Sequence, residues 1–253
     1  MNLWSEYALG LAISFYNHPS RIRSELVRRG LAAYCKPGVR VLDVGGGFGE
    51  LSIALARMGC EVVNLDSDSN MLSMCAAHLK EKPVDVAQRI RLVEGRAEEA
   101  RELTSSSFDL VCCHSVFQYV IELRPVVRAL VDVVSPAGHI SILMINAPAI
   151  GMRSGVNQRW REALAAVRSG ELLGSYAPIK LHKPRSVVRL FREHGLQLQV
   201  SRGVSVFSDF LDTEPEDEDF AELVELDWLA GERKPYCSIA RSVHMIFGRK
   251  PNG

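Results

Sequence analysis

Residues 39–50 read Val-Arg-Val-Leu-Asp-Val-Gly-Gly-Gly-Phe-Gly-Glu, a short apolar run that leads directly into a glycine cluster. A helix-like segment, 51–58, follows at once. Glycines at such a junction allow positive φ and let a ligand approach the main chain closely, and the N-terminus of the next helix offers unpaired N–H groups. The segment therefore predicts a strand–turn–helix unit with a ligand at its turn.

A second apolar segment supports this interpretation. Residues 61–65 follow the helix and lead into Asp66. An acidic residue at the tip of the second strand can accept hydrogen bonds from both ribose hydroxyls of an adenosine ligand. A dinucleotide-binding protein would show G-x-G-x-x-G, but Glu50 stands where the third glycine should fall. A glycine-rich turn that binds nothing is the simpler alternative, and it does not account for strand, glycines, helix and acid occurring in this order.

Composition limits the classes of protein to consider. The 253 residues are 47% hydrophobic and 24% charged, which suits a globular protein with one sizeable core. Thirty basic and thirty acidic residues balance, so charge gives no support for a general polyanion binder. We expect no membrane span, because no run of about 18 apolar residues occurs, and no secretory signal. The six cysteines lack paired metal-ligand spacing, so we expect reduced thiols, no metal site and a cytoplasmic location.

Strand-like and helix-like segments alternate along the rest of the chain. Further strands are predicted at 90–94, 108–113, 139–145, 196–207 and 238–247. Helices are predicted around 71–79 and at 125–134, 157–169, 185–194 and 220–229, and residues 135–138 are predicted to form a turn. This alternation predicts an α/β protein with a seven-stranded, mostly parallel sheet and helices on both faces.

Loops that follow parallel strands meet at one carboxyl edge of the sheet, where ligands bind in doubly wound folds. We therefore expect residues that are distant in sequence to converge there. They are Gly45, Asp66, Ala97, Glu98 and His114. Residues 1–38 are predicted to be helical and to cover this edge as a lid.

These motifs resemble those of the class I S-adenosylmethionine-dependent methyltransferases, over about residues 40–145. The resemblance implies a Rossmann-like fold, S-adenosylmethionine as cofactor and S-adenosylhomocysteine as product. The motif residues that it assigns to the cofactor are Asp43, Gly45, Gly46, Gly47, Gly49 and Asp66. We expect a single domain, residues 1–253, made of the lid (1–38), the cofactor-binding core (39–145), an inserted acceptor-site region (146–182) and the C-terminal part of the sheet (183–253).

A closer resemblance, to the bacterial tRNA carboxymethoxyuridine carboxyl methyltransferases, covers most of the chain. It rests on residues 42–47, 146–147, 203–211 and 234–236, on Arg241 and His244, and on residues 249–251. By position it implies cofactor contacts at Arg23, Gly45, Gly46, Asp66, Ala97, Glu98 and His114.

Two departures from that family concern tRNA. The lysine cluster of the family is reduced here to Lys180 and Lys183, and a position that is basic in the family is Ser205. Both departures favour an acceptor smaller than tRNA.

The chemistry of methyl transfer indicates which residues the acceptor needs. A carboxylate is already ionised at neutral pH, since its ordinary pKa is about 4, so it needs only a cation or donor to orient it. A phenol or amine would need a base. His114, at the end of the fourth strand, is the candidate catalytic residue for either task, and a histidine that only packs against the cofactor is the alternative.

Four residues are candidates for binding the acceptor. They are Tyr176, Tyr236, Arg241 and His244. Arg241 and His244 are three positions apart on a predicted strand, so we expect them to face opposite sides of the sheet.

We therefore expect an S-adenosylmethionine-dependent methyltransferase that O-methylates a carboxylate-bearing small molecule. The alternatives among enzymes are a tRNA wobble-uridine carboxyl methyltransferase and a phenol O- or amine N-methyltransferase of secondary metabolism. The alternative outside enzymes is a module of the same fold that binds without turnover. The sequence does not decide the oligomeric state.

Overall fold

The structure, a computed structural model, describes residues 19–104, 107–171, 179–211 and 215–250. The first part of the predicted lid and Tyr176 lie outside these ranges. Within them the predicted fold class is confirmed: the sheet has seven strands, is mostly parallel and carries helices on both faces.

The strands of the described chain form one sheet. They are β1 (Arg40–Val44), β2 (Glu61–Asp66), β3 (Ile90–Glu94), β4 (Phe108–His114), β5 (Val134–Ile145), β6 (Gln197–Val204) and β7 (Ser242–Gly248). Their order across the sheet is β3-β2-β1-β4-β5-β7-β6. Strands β1 to β5 pair in parallel, whereas β7 runs antiparallel to both β5 and β6. The strand order reverses between β1 and β4, and this is where a doubly wound sheet opens a ligand crevice.

Helices cover both faces of the sheet. They are α1 (Pro19–Leu31), α2 (Glu50–Arg57), α3 (Ser69–Lys80), α4 (Val84–Ala87), α5 (Ala100–Thr104), α6 (Leu123–Val133), α7 (Met152–Val156), α8 (Trp160–Ser169), α9 (Pro184–Glu193), α10 (Asp217–Ala230) and α11 (Tyr236–Ile239). Apolar residues of α1, α2 and α10 form one buried core with the sheet, and those of α6 and α9 form the other. Among the described helices, none combines the length and apolar character that crossing a membrane requires.

The predicted turn at 135–138 is wrong, because these residues belong to β5. The pairing of β4 with β5 is irregular between Phe108 and Leu110, and such irregularities are where a sheet tolerates proline, here Pro136. A Cβ on Gly138 would lie 2.8 Å from the carbonyl oxygen of Phe108, so this glycine permits a close backbone approach. A turn-like composition is therefore compatible with a strand at this position.

Two other predicted boundaries are also wrong. The predicted helix at 157–169 begins only at Trp160, as α8, because Gln158 has a φ of 58°, which does not fit a right-handed helix. The last strand begins at Ser242 rather than at 238, after the short helix α11. The side-chain amide of Asn146 donates hydrogen bonds to the carbonyls of Ser238 and Ala240, at 3.1 and 3.0 Å, and so holds the end of α11 against the end of β5.

Candidate active site

The glycine turn joins β1 to α2, as predicted. Gly47 has a φ of 53°, and a Cβ built on it would meet nothing within 4 Å. Gly49 has a φ of 88°, but a Cβ there would clash with the thiol of Cys75. Packing therefore requires Gly49, whereas Gly47 faces open space in which a ligand can approach the backbone. Side chains on Gly45 and Gly46 would clash with Val116 and Asn64.

Asp66, at the end of β2, is held against this turn. Its Oδ2 accepts a hydrogen bond of 2.8 Å from the N–H of Gly47, and its Oδ1 accepts one of 2.9 Å from the N–H of Asp68. Burial raises the pKa of the Asp66 carboxyl above its usual value, and these backbone hydrogen bonds oppose the rise. Each carboxylate oxygen has a second lone pair, so the group can still accept hydrogen bonds from a ligand beside Gly47.

Asp43 lies beneath the glycine turn rather than on its surface. Its side chain is buried and accepts a hydrogen bond of 2.7 Å from the hydroxyl of Ser52, which ties β1 to α2. Burial raises the pKa of Asp43 to about 7, although the Ser52 hydrogen bond lowers it. A direct contact between Asp43 and the cofactor stays a prediction.

The loop after β3 lies at the same edge of the sheet, as predicted. Ala97 and Glu98 belong to a 3-10 turn, Ala97–Glu99. The N–H of Gly95 donates a hydrogen bond of 3.0 Å to the carbonyl of Asp66, which joins this loop to the end of β2. Ala97 is half-buried against the core, and the exposed Glu98 carboxylate lies 3.4 Å from a guanidinium nitrogen of Arg96.

Helix α1 brings Arg23 and Ser24 to this edge. The hydroxyl of Ser24 donates a hydrogen bond to Glu50, the residue in the position of the missing third glycine. Burial lowers the pKa of Arg23, and the nearby Glu50 opposes that change. Glu50 therefore links the first described helix to the beginning of α2, a role that the sequence did not predict.

Two further arginines surround a buried carboxylate. Nη1 of Arg153 and Nε of Arg241 lie 3.7 and 3.8 Å from Oδ1 of Asp209. Burial raises the pKa of Asp209, and the charges of Arg241 and Arg153 lower it. The charge of Arg241 also contributes to lowering the pKa of Arg23, and Arg153 shares the Asp209 carboxylate with Arg241. We call Arg23, Arg153 and Arg241, with Glu50 and Asp209, the arginine group.

His114 ends β4, as predicted, and is joined to two buried residues. Its Nε2 lies 2.8 Å from Oγ of Ser141, and that oxygen lies 2.7 Å from Nε2 of His244. Burial lowers the pKa of His114 well below its usual value, with smaller contributions from His244 and Arg23. His114 is therefore a neutral imidazole at neutral pH. It lies at the carboxyl edge of the parallel strands, which we call the active edge.

The prediction that Arg241 and His244 share a strand is wrong. Strand β7 begins at Ser242, and the N–H of Arg241 donates a hydrogen bond of 2.9 Å to the carbonyl of Ser205 instead. His244 is 2% exposed, and a Cβ on Gly30 of α1 would lie 3.0 Å from its Nδ1. A direct contact between His244 and the acceptor does not fit this burial. His244 is connected to His114 through the hydroxyl of Ser141, which lies within hydrogen-bond distance of both rings.

Tyr236, a candidate for binding the acceptor, is the first residue of α11. Its side chain is exposed, and its ring centroid is 5.7 Å from that of Phe207. A contact between Tyr236 and the acceptor stays a prediction.

Comparison with known proteins gives the class of this enzyme. Residues 42–142 match the family model described as a methyltransferase domain. The chain is 27% identical over 214 residues to the tRNA 5-carboxymethoxyuridine methyltransferase of Escherichia coli (strain K12), covering 84% of this chain and 80% of the relative. It is 30% identical over 174 residues to the ubiquinone biosynthesis O-methyltransferase of Xanthomonas campestris pv. campestris (strain B100), covering 66% of each.

Solved structures show the same fold at low sequence identity. The glycopeptide N-methyltransferase MtfA complexed with S-adenosyl-L-methionine has a TM-score of 0.57 at 16% identity, covering 93% of this chain and 96% of its own. Magnesium protoporphyrin IX methyltransferase (ChlM) from Synechocystis PCC 6803 with bound SAH has a TM-score of 0.60 at 15% identity, covering 89% and 81%. The chain belongs to the class I S-adenosylmethionine-dependent methyltransferases and is an enzyme of that class.

Proposed function

We propose that this enzyme transfers the methyl group of S-adenosylmethionine to a carboxylate oxygen of a small anionic acceptor. The observation that carries the proposal is the arginine group. Asp209 places one negative charge between Arg153 and Arg241, and Arg23 adds a third positive charge beside Glu50. Asp227, whose charge also acts on Asp209, balances the remaining positive charge, so the group offers guanidinium donors rather than a net charge. A planar guanidinium suits a carboxylate in particular, because it can donate two parallel hydrogen bonds to it.

The residues beside the glycine turn suit the cofactor. Gly47 leaves room for close approach, and Asp66 keeps lone pairs for ribose hydroxyls. We assign these two residues to the cofactor, and with them Arg23, Asp43, Gly45, Gly46, Gly49, Ala97, Glu98 and His114. S-adenosylmethionine supplies a methyl group on a sulfonium, which is transferred by direct displacement. The contribution of the chain is then to hold the acceptor oxygen in line with that methyl group.

A carboxylate acceptor fits the protonation state of His114. The pKa of His114 is held well below its usual value, chiefly by burial, so the ring is a neutral hydrogen-bonding group at neutral pH. A carboxylate is ionised there and needs no base. His114 is then the candidate catalytic residue as an orienting group, and Arg241 is the candidate cation for the acceptor.

Residues 146–182 are proposed to shape the acceptor side of the site. Helix α7 lies in this segment and contributes Arg153 to the arginine group. The partner carboxylate, Asp209, follows β6 in the C-terminal part of the sheet. The acceptor site would thus form between the inserted region and the last strands.

The alternative acceptor, tRNA, is favoured by a different observation. Arg185, Arg189 and Arg192 of α9 line an open cavity of about 380 Å³, together with Leu198 and Met245. Arginines at the rim of a largely apolar cavity can contact a phosphate backbone, and the relative from Escherichia coli is named as a tRNA methyltransferase.

The lysines of this region give tRNA less support. Of the two that remain, Lys180 donates its Nζ hydrogen bond of 2.8 Å to the carbonyl of Ile121. We therefore keep the small acceptor as the proposal.

The test is methyl transfer from labelled S-adenosylmethionine to panels of small carboxylic acids, phenols and amines, and to bulk tRNA. We expect label on carboxylic acids that mild base releases as methanol, because methyl esters hydrolyse whereas methyl ethers do not. Arg241→Gln should raise the acceptor KM by about tenfold or more, as expected for losing a hydrogen bond to a charged group. The matched control is Arg128→Gln, which removes a surface arginine of α6 that lies 3.8 Å from Asp132.

Two outcomes would overturn the proposal. Base-stable label confined to phenols or amines would exclude the carboxylate. Base-labile label on tRNA, with an affinity that falls steeply with salt and is lost in Arg189→Gln/Arg192→Gln, would exclude the small acceptor. For small acids, that double variant should behave as wild type.

A further inference from the structure

Three polar side chains form a hydrogen-bonded chain beneath α1. His114, Ser141 and His244 lie on the adjacent strands β4, β5 and β7, and the Cα register pairs His114 with Leu143 and Leu143 with His244. The two imidazole centroids are 5.4 Å apart with an interplanar angle of 78°. Ser141 and His244 are 0% and 2% exposed, so only His114 reaches the active edge. The proposed chemistry has so far used neither of the buried members.

The number of protons that these three side chains carry restricts the directions of the hydrogen bonds between them. The hydroxyl of Ser141 can donate to only one of the two Nε2 atoms, so the other imidazole must carry a proton on Nε2 and donate it to Oγ. Both rings are neutral near pH 7, since burial lowers both pKa values, that of His244 to about 4 with Arg202 contributing. Only two hydrogen-bond directions are then possible, and each fixes the tautomers of both rings.

The surroundings of His244 select one of these directions. Its Nδ1 faces the backbone of Gly30, and within the described ranges no residue provides it with a hydrogen-bond acceptor. A proton on that atom would have no hydrogen-bond acceptor among the described residues, whereas a proton on Nε2 has one in Oγ of Ser141. The positive charge of Arg202, which is paired in register with His244, contributes to keeping the ring neutral. His244 therefore carries its proton on Nε2 and donates it to Ser141.

The same direction continues to the active edge. If His244 donates to Ser141, the hydroxyl of Ser141 donates to Nε2 of His114, and the proton of His114 lies on Nδ1. We propose that Ser141 and His244 are positioning residues that hold His114 as its Nδ1–H tautomer, which donates a hydrogen bond to an anionic acceptor. The reverse direction would leave a bare Nδ1 on His114, which is the form that a base for a phenol requires.

This inference depends on the proposed function only for the nature of the acceptor. The hydrogen-bond directions follow from the protein alone, so they can be measured without any acceptor. The two buried residues would then decide whether His114 serves as an orienting donor or as a base.

Long-range ¹H–¹⁵N spectra of the full chain with ¹⁵N-labelled histidine would report both tautomers at pH 7. The sequence has seven histidines, and the signals of His114 and His244 are assigned by their loss in His114→Gln and His244→Gln. We expect a proton on Nδ1 of His114 and on Nε2 of His244. The opposite assignment overturns the proposal, whatever the acceptor proves to be.

Ser141→Ala tests the link between the two rings. We expect His114 to become a mixture of tautomers and kcat/KM for the acceptor to fall about tenfold, the scale of one lost hydrogen bond. The matched control is Ser242→Ala, which replaces another buried serine of the sheet, at the start of β7. An unchanged His114 tautomer in Ser141→Ala, or an equal loss of activity in Ser242→Ala, overturns the role of Ser141. If Ser141→Ala does not fold, the wild-type spectrum still decides the directions.

The two proposals fail in different ways. Expected tautomers without label on carboxylic acids would overturn the proposed function alone. Label on carboxylic acids with reversed tautomers would overturn the positioning role alone.

Discussion

The backbone N–H of Gly47 donates a hydrogen bond of 2.8 Å to the carboxylate of Asp66, 19 residues further along the chain. The glycine turn after β1 and the acid at the end of β2 are therefore one unit. The bond joins loops that follow two neighbouring parallel strands. It places the one loop glycine that faces open space beside a carboxylate that retains acceptor capacity.

Replacing Asp66 should weaken cofactor binding more than folding. Asp66→Ala removes the hydrogen bonds that we assign to the ribose and should cost about 1.5–3 kcal/mol of binding free energy. Isothermal titration with S-adenosylmethionine measures this cost. The control is Asp68→Ala, which removes the side chain that caps α3 through Asn70 and should cost about 1 kcal/mol of stability with cofactor affinity intact. Equal cofactor affinity in Asp66→Ala and wild type would contradict the assignment.

Gly47 offers a test with a closely matched control. Gly47→Ala should fold, since its Cβ meets nothing, but should lose cofactor affinity by about tenfold or more because the methyl group enters the space assigned to the ligand. Gly47→Val should abolish binding. Gly38 also has a positive φ, of 86°, and open space around a Cβ, but it precedes β1 at the other end of the strand. Gly38→Ala should therefore show the same backbone strain with unchanged binding, and equal affinities in the two alanine variants would refute the interpretation.

The pH dependence of methyl transfer should be flat across neutral pH. Burial holds the pKa of His114 well below its usual value, and a carboxylate acceptor has a pKa of about 4, so neither group titrates there. We expect kcat to be constant from about pH 6 to about pH 8, measured with a small carboxylic acid. An inflection near the ordinary histidine value of about 6.5 would indicate a base and would contradict both the acceptor and the role of His114.

Asp43 should make the folded state less stable as pH rises. Its folded pKa is about 7, above the value of 3.8 for the free side chain, so the protonated form favours the folded state. Relative to Asp43→Asn, the stabilisation is fully present below about pH 4 and is lost as pH rises through about 7, by on the order of 2–4 kcal/mol in total. Denaturant unfolding at a series of pH values measures this difference.

A second variant checks the cause of that effect. Ser52→Ala removes the hydrogen bond that lowers the pKa of Asp43, so it should move the loss of stability to higher pH. If wild type and Asp43→Asn show parallel curves, the pKa of Asp43 is the same in the folded and unfolded states, and burial does not control its charge.

The elements of the cofactor side could be predicted because their signals are local. The run from residue 39 to Asp66 contains a strand, glycines, a helix, a second strand and an acid, and each follows from side-chain periodicity or turn chemistry within a few residues. Parallel connection then places Asp66, Ala97 and His114 at one edge, and the structure has them there.

The predictions of secondary structure are wrong where a contact with a residue distant in sequence outweighs local composition. Residues 135–138 look like a turn, but β4 supplies a partner strand whose irregular register admits them. Residues 238–241 look like a strand, but the amide of Asn146, more than 90 positions earlier, holds this segment as the end of a helical turn. Local propensity is a weak preference that tertiary hydrogen bonds outweigh.

The sequence by itself determined the class of fold, the glycine turn and its acid, because these depend on neighbours along the chain. Only the tertiary structure decided how the arginine group and the His114–Ser141–His244 chain are assembled. Strand β7 lies between β5 and β6, and this order brings His244 to within 2.7 Å of Ser141, 103 residues away in sequence. Side chains so far apart meet through the order of the strands and the packing of α1, which no periodicity within a segment encodes.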